Sequence, residues 1–146
     1  MKKIFLSIIA LVVSVTVSAL SQAPKASQPA KHKVVFQMNS PAPNGWDQLF
    51  RNVDSIRETF GKDGIDIEIV FFGKGLPMLL KTNAQYADRL KDAASKGVVL
   101  AACQNTMRQA NIKSEDLFPF STEVDSGVAE LIRKQEAGYS YIKSGE

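Results

Sequence analysis

Cys103 is the single cysteine of the 146-residue chain, and its neighbours give it a defined place. The continuous apolar run Val98-Val99-Leu100-Ala101-Ala102 precedes it, as expected for a central strand buried on both faces. Gln104 and Asn105 follow, and Asn105 suits the N-cap of a short helix through Thr106, Met107 and Ala110. A thiol at that junction meets the unpaired N–H groups and positive dipole end of a helix, which stabilise a thiolate. Lys74, at the end of another strand, would lower its pKa further if the two loops meet. Three readings stay open from spacing alone. The thiol is a reactive nucleophile, or a small hydrophobe completing its strand, or a cross-link between chains, since one cysteine closes no bridge within the chain.

The remaining chemistry-bearing residues point to less. Gly73-Lys74-Gly75 is too short for a phosphate-binding loop and reads as a tight turn. His32, the only histidine, precedes the first strand, so no Cys-His catalytic pair is expected. Metal ligands are not grouped, and no cofactor motif is present. Glu123 and Asp125 flank a strand end and read as solvated. Met38, Met78 and Met107 read as core filler. Trp46 and Phe118-Pro119-Phe120 fit a site rim, an interface or core packing equally well.

The elements that would position these residues alternate between apolar runs and helix-period segments, the pattern of a parallel sheet covered by helices. Strands are expected at Val34 to Met38, Ile65 to Phe72, Val98 to Ala102, Ser121 to Val124 and Tyr139 to Lys143, the last at an edge. Between the first two, Trp46, Leu49, Phe50, Val53, Ile56 and Phe60 recur at spacings of three and four, one buried helical stripe ending at Gly61. A short helical piece at Leu76 to Leu80 tolerates Pro77 in its first turn. A helix over Ala84 to Lys96 is capped by Gly97. Ser114 could cap a further turn, and a last helix starts at Asp125 or Ser126 and ends at Gly138. The expected fold is a three-layer α/β sandwich with a mostly parallel five-stranded sheet in flavodoxin-like order, the first strand lying between the second and third. In such a sheet the loops at the carboxyl ends form the binding crevice. Asn39 and Ser40, then Gly73, Lys74 and Gly75, then Cys103, Gln104 and Asn105 would converge there.

The amino terminus predicts export. Lys2 and Lys3, an apolar core from Ile4 to Val17 and Val17-Ser18-Ala19 form the three parts of a secretory signal over residues 1–19. That core is shorter than the roughly 20 residues a membrane-spanning helix needs, so no stable membrane insertion is expected after cleavage. Residues 20–32, with Pro24 and Pro29, read as a flexible linker. One domain follows over 33–146, placed in the periplasm or outside the cell. Without Lys2 and Lys3 the 18 basic residues fall to 16 against 15 acidic ones, a net charge of +1. The charges are interspersed with no basic stripe, which argues against a nucleic-acid partner.

With strand, cysteine and helix in view, the chain resembles the DsrE/DsrF-like sulfur-relay family. The resemblance is carried by Gly97-Val98-Val99-Leu100-Ala101-Ala102-Cys103-Gln104-Asn105-Thr106-Met107 with Asn111-Ile112. It is supported by Phe72-Gly73-Lys74-Gly75-Leu76 and by Gly127-Val128-Ala129-Glu130-Leu131 leading to Gln135-Glu136-Ala137-Gly138-Tyr139. It implies a homo-oligomer, often a trimer or hexamer. It also implies that Cys103 accepts sulfane sulfur as a persulfide and hands it to a partner thiol, with a donor or acceptor protein at the other end. A non-catalytic oligomeric binding module using the same crevice is the alternative.

Overall fold

The computed structural model describes residues 31–41 and 43–145. The expected signal and nearly all of the expected linker lie outside them. Five strands are present: β1 (His32–Met38), β2 (Ile65–Phe71), β3 (Val99–Cys103), β4 (Thr122–Val124) and β5 (Ser140–Ser144). Four α-helices connect them: α1 (Pro43–Phe60), α2 (Ala87–Ser95), α3 (Gln104–Gln109) and α4 (Gly127–Glu136). Short 3-10 turns fill Gly73–Leu79, Ala84–Tyr86 and Ser114–Asp116. β1 begins at His32, inside the segment expected to be linker, because His32 is in register with Ile65 and its N–H donates to the Gly64 carbonyl at 2.9 Å.

Every strand pair is parallel, and the sheet order is β4-β3-β2-β1-β5. The α/β class, the five strands and the edge position of β5 are as expected. The lateral order shares one reversal of direction with flavodoxin-like sheets but places β2, not β1, in the middle. β2 is the strand buried most continuously, from Ile65 through Phe71 with only Asp66 half-buried, and so suits the centre. Local hydrophobicity marks which strands are interior but not which neighbour each one takes.

The helices divide unequally between the two faces. β1 to β4 step across the sheet in one direction, and α1, α2 and α3 cover one face with them. The main core lies there, built on Phe36, Met38, Ile69 and Phe71 with Leu49, Phe50, Leu90 and Met107 from the helices. The connection from β4 to β5 runs back the other way, and a constant crossover hand then requires its helix on the opposite face. α4 occupies that face with a small cluster of Val35, Val70, Ala101 and Leu131. In α1 the expected stripe buries Trp46, Leu49, Phe50 and Val53 but runs out at its end. Phe60 is 42% exposed and lies against the His32 ring, with centroids 4.1 Å apart. Met38, Met78 and Met107 are core residues, and Phe118 is buried and stacked on Phe120.

This winding creates one place where neighbouring strands send their chains to opposite faces. After β3 the chain turns to the α3 face, and after β4 it turns to the α4 face. Cys103 ends β3 and is in register with Val124 of β4, directly at that divergence. A sheet of this kind forms its crevice at such a switch point.

Candidate functional site around Cys103

Cys103 is 4% exposed and belongs to neither apolar cluster, because polar groups surround its sulfur. It is the N-cap residue of α3, a position expected for Asn105, since β3 continues one residue further than its apolar run and α3 starts at Gln104. The backbone N–H of Gly127, first residue of α4, donates to Cys103 Sγ at 3.1 Å. Burial pushes the thiol pKa up. The Gly127 amide, the Thr106 amide and hydroxyl and the Asn105 amide together outweigh that cost and hold it below the ordinary value of 9.0. Two helix starts from opposite faces of the sheet thus converge on one sulfur.

Gly127 leaves room for this approach. A Cβ on it would sit 3.1 Å from Phe72 and 3.2 Å from the Cys103 Cβ, closer than ordinary packing allows. Ser126 fixes the helix start by accepting the Ala129 N–H on its side chain at 3.4 Å. On the other side, the Gly73 N–H donates to Thr106 Oγ1 at 2.9 Å, tying the turn after β2 to the first turn of α3. With its oxygen occupied as an acceptor, the Thr106 hydroxyl has its hydrogen free for the thiolate.

The residues expected at the site spread along the rim. Gln104 donates to Glu123 Oε2 at 3.0 Å, and a hydrogen bond from Ser114, joined by this one, lowers the Glu123 pKa. Asn105 accepts from Arg108. Gly73 reaches Thr106, whereas Lys74 is exposed on the same turn, and no charged side chain is among the leading influences on Cys103. The lowered pKa therefore comes from backbone dipoles and a hydroxyl, and not from Lys74 as the sequence suggested. Gly75 packs against β1: a Cβ there would fall 2.3 Å from the Met38 carbonyl oxygen. Asn39 and Ser40 follow β1, two strands from Cys103, or roughly 10 Å by strand spacing. Ser40 is buried, accepts the Trp46 indole N–H on its carbonyl at 2.8 Å and packs against Gly145. The three loops adjoin in sequence, but with β2 central they line a rim and do not enclose one crevice.

Thr106 and Gly127 were not singled out as site residues from sequence. Gly127 follows the residue chosen as a helix start and Thr106 lies three beyond the cysteine, so the spacing was present. What it lacked was any sign that the start of α4 comes back onto the end of β3, across 24 positions of chain. Among the described residues no group of three or more His, Cys, Asp or Glu could hold a metal ion.

The DsrE/DsrF-like family model matches residues 31–144. A solved structure described as a protein of unknown function, MTH1491 from Methanobacterium thermoautotrophicum, is similar, with a TM-score of 0.73 and 26% sequence identity. The match covers 77% of this chain and 99% of that one. No curated protein matches the sequence. A match over β1 to β5 that includes the strand, thiol and helix starts just described is decisive: the chain belongs to the DsrE/DsrF-like family.

Proposed function

We propose that the protein is an exported sulfur carrier in which Cys103 accepts sulfane sulfur and passes it to a partner thiol. The observation that carries this reading is the sulfur held between two helix starts, with the Gly127 N–H at 3.1 Å. A thiolate is the nucleophile in sulfur exchange, and a lowered pKa raises its fraction at neutral pH. In the loading step Cys103 Sγ⁻ attacks the outer sulfur of a donor persulfide, R–S–SH. The new S–S bond forms as the donor's own S–S bond breaks, and the electron pair leaves on the donor's inner sulfur as R–S⁻. Cys103 then carries –S–SH with no net oxidation. An acceptor thiolate attacks the terminal sulfur, and Cys103 departs as the stabilised thiolate. The amides that hold the thiolate also make it a good leaving group.

Export to the periplasm rests on the signal-like residues 1–19. Assembly as a homo-oligomer rests on the family and on Val99, Val128, Ile132 and Tyr141, apolar side chains exposed on the thinly covered α4 face. Among the described residues no helix is long and apolar enough to cross a membrane.

Incubation with a sulfane-sulfur donor is expected to add the mass of one sulfur atom, lost with a thiol reductant. An equal adduct on Cys103→Ser would refute the proposal. The low exposure of the thiol favours a second reading, a non-catalytic binding module in which Cys103 only ties β3 to α4. Rapid alkylation of the native protein below the free-thiol pKa of about 8.5 supports the carrier. Labelling only after denaturation supports the module.

A further inference from the structure

α4 meets the sheet through few apolar residues and through a buried charge. Glu68, in the centre of β2, is 3% exposed and points to the α4 face, alongside Val70. Its Oε2 lies 2.5 Å from Lys134 Nζ, near the end of α4. Its other oxygen, Oε1, is buried without a hydrogen-bond partner among the described residues. Burial pushes the Glu68 carboxyl pKa up against the pull of Lys134, and the neighbouring Glu130 adds to the rise; burial works against the Lys134 ammonium, but Glu68 and Glu130 hold its pKa up.

From this pair, polar contacts continue along α4. Lys134 Nζ is 3.6 Å from Glu130 Oε1, Glu130 Oε2 is 2.5 Å from Arg133 Nη1, and Arg133 Nη2 is 2.6 Å from Asp125 Oδ1. Asp125 is two residues before Gly127, whose N–H meets the Cys103 sulfur. Lys134 and Gly127 are separated by about 10 Å of helix. The helix is therefore fixed at one end by an ion pair to β2 and presents its other end to the thiol on β3. Among the described residues the apolar cluster between them has Val35, Val70, Ala101 and Leu131 as its buried members, with Phe72, Val124 and Tyr139 partly buried against it. A charge buried this deeply is costly unless it stays paired, and the cost enforces one seating of α4. The exposed Arg133–Asp125 pair adds little by itself in water, but it braces the corner that carries Ser126 and Gly127.

We propose that Glu68 and Lys134 are positioning residues for Cys103: their ion pair seats α4 on the sheet so that the Gly127 N–H caps the sulfur. Neither residue touches the reacting atom. Both act through the placement of a helix start, and this assignment rests on Cys103 being the working group of the protein. It also accounts for how a thiol that is 4% exposed can be reached. The helix start in contact with the sulfur belongs to the element held by the pair, so a shift of that start would change access to it.

The test is the pH dependence of Cys103 alkylation by iodoacetamide in the full chain, with Lys134→Met, Lys134→Arg and Glu68→Gln compared with the unaltered protein. Unfolding temperature is recorded alongside. In Lys134→Met the midpoint is expected to move to higher pH, because the capping amide retreats. The plateau rate at high pH, which reports access, is expected to rise at least threefold. Lys134→Arg is expected to keep the unaltered profile. Glu68→Gln preserves shape and leaves the partly exposed Lys134 beside Glu130, so it perturbs the fold less than Lys134→Met and is expected to shift both quantities in the same direction by less. A lowered unfolding temperature with midpoint and plateau unchanged would mean a merely structural pair and would overturn the proposal. Because the readout is alkylation, a protein that takes up no sulfur yet shows this dependence on Lys134 refutes the carrier reading alone.

Discussion

Replacing Gly127 with alanine tests the site at its tightest point. The added methyl would lie 3.1 Å from Phe72 and 3.2 Å from the Cys103 Cβ, whereas ordinary contact begins near 3.4 Å. Phe72 is packed between the α4 cluster and the turn after β2, so the start of α4 must give way by a few tenths of an ångström. The 3.1 Å N–H···S hydrogen bond lengthens accordingly. Hydrogen bonds to charged groups contribute about 1.5–3 kcal/mol. Losing roughly half of one, about 1 kcal/mol, corresponds to a factor of about five in an equilibrium. On the acid side of its midpoint, the alkylation rate of Gly127→Ala, normalised to its own high-pH plateau, is expected to fall about fivefold. Stopped-time alkylation followed by intact mass measures both rates in one series. A normalised rate equal to or above that of the unaltered protein would refute the claim that the Gly127 amide stabilises the thiolate.

Other outcomes follow from the same geometry. Thr106→Val removes a hydroxyl near the sulfur and the acceptor of the Gly73 N–H, so the normalised alkylation rate falls while Thr106→Ser keeps it. Gly75→Ala places a methyl 2.3 Å from the Met38 carbonyl and is expected to cost about 3 kcal/mol in denaturant unfolding. The Cys103 thiol is held below its ordinary value in the folded chain, so it contributes stability above the unfolded pKa and loses it as pH falls through the folded one. Urea midpoints should therefore rise with pH across that window, and Cys103→Ser should remove this part of the slope. The Glu68 carboxyl is raised, so its contribution is present below the unfolded pKa and is lost as pH rises through the folded one. Glu68→Gln is expected to remove this decline in unfolding temperature as pH rises out of the acid range.

The strands and helices were legible because each carries a period that survives in isolation. The run before Cys103 declared a buried strand, and the spacing of Trp46, Leu49, Phe50 and Val53 declared one face of a helix. Boundaries shifted by a residue or two where hydrogen bonding, not hydrophobicity, decides them, as at His32 and at the Cys103 cap. Lateral order was not legible. Nothing local in β1 or β2 states which of them takes the centre, and the error moved Asn39 and Ser40 towards the thiol. The Gly127 contact was missed for another reason: it joins residues 24 positions apart through a backbone amide that no side chain announces. Lys74 was credited with an influence because a cation is visible in a sequence. The amides that perform that role are present in every residue and gain meaning only from placement. Glu68 was read as part of a strand, since its burial depends on a lysine 66 positions away.

The unequal cladding of the sheet has a consequence for how the molecule breathes. With twenty-three buried residues in one cluster and four in the other among the described residues, the two faces are not expected to open with the same ease. Amide hydrogens of α1 should exchange only with global unfolding, while those of α4 exchange through a shallower, local opening. The segment whose start meets the thiol is then held less firmly than the helices on the larger core. Access to the sulfur would be metered by the stability of one ten-residue helix and left insensitive to substitutions that weaken the larger core short of unfolding it.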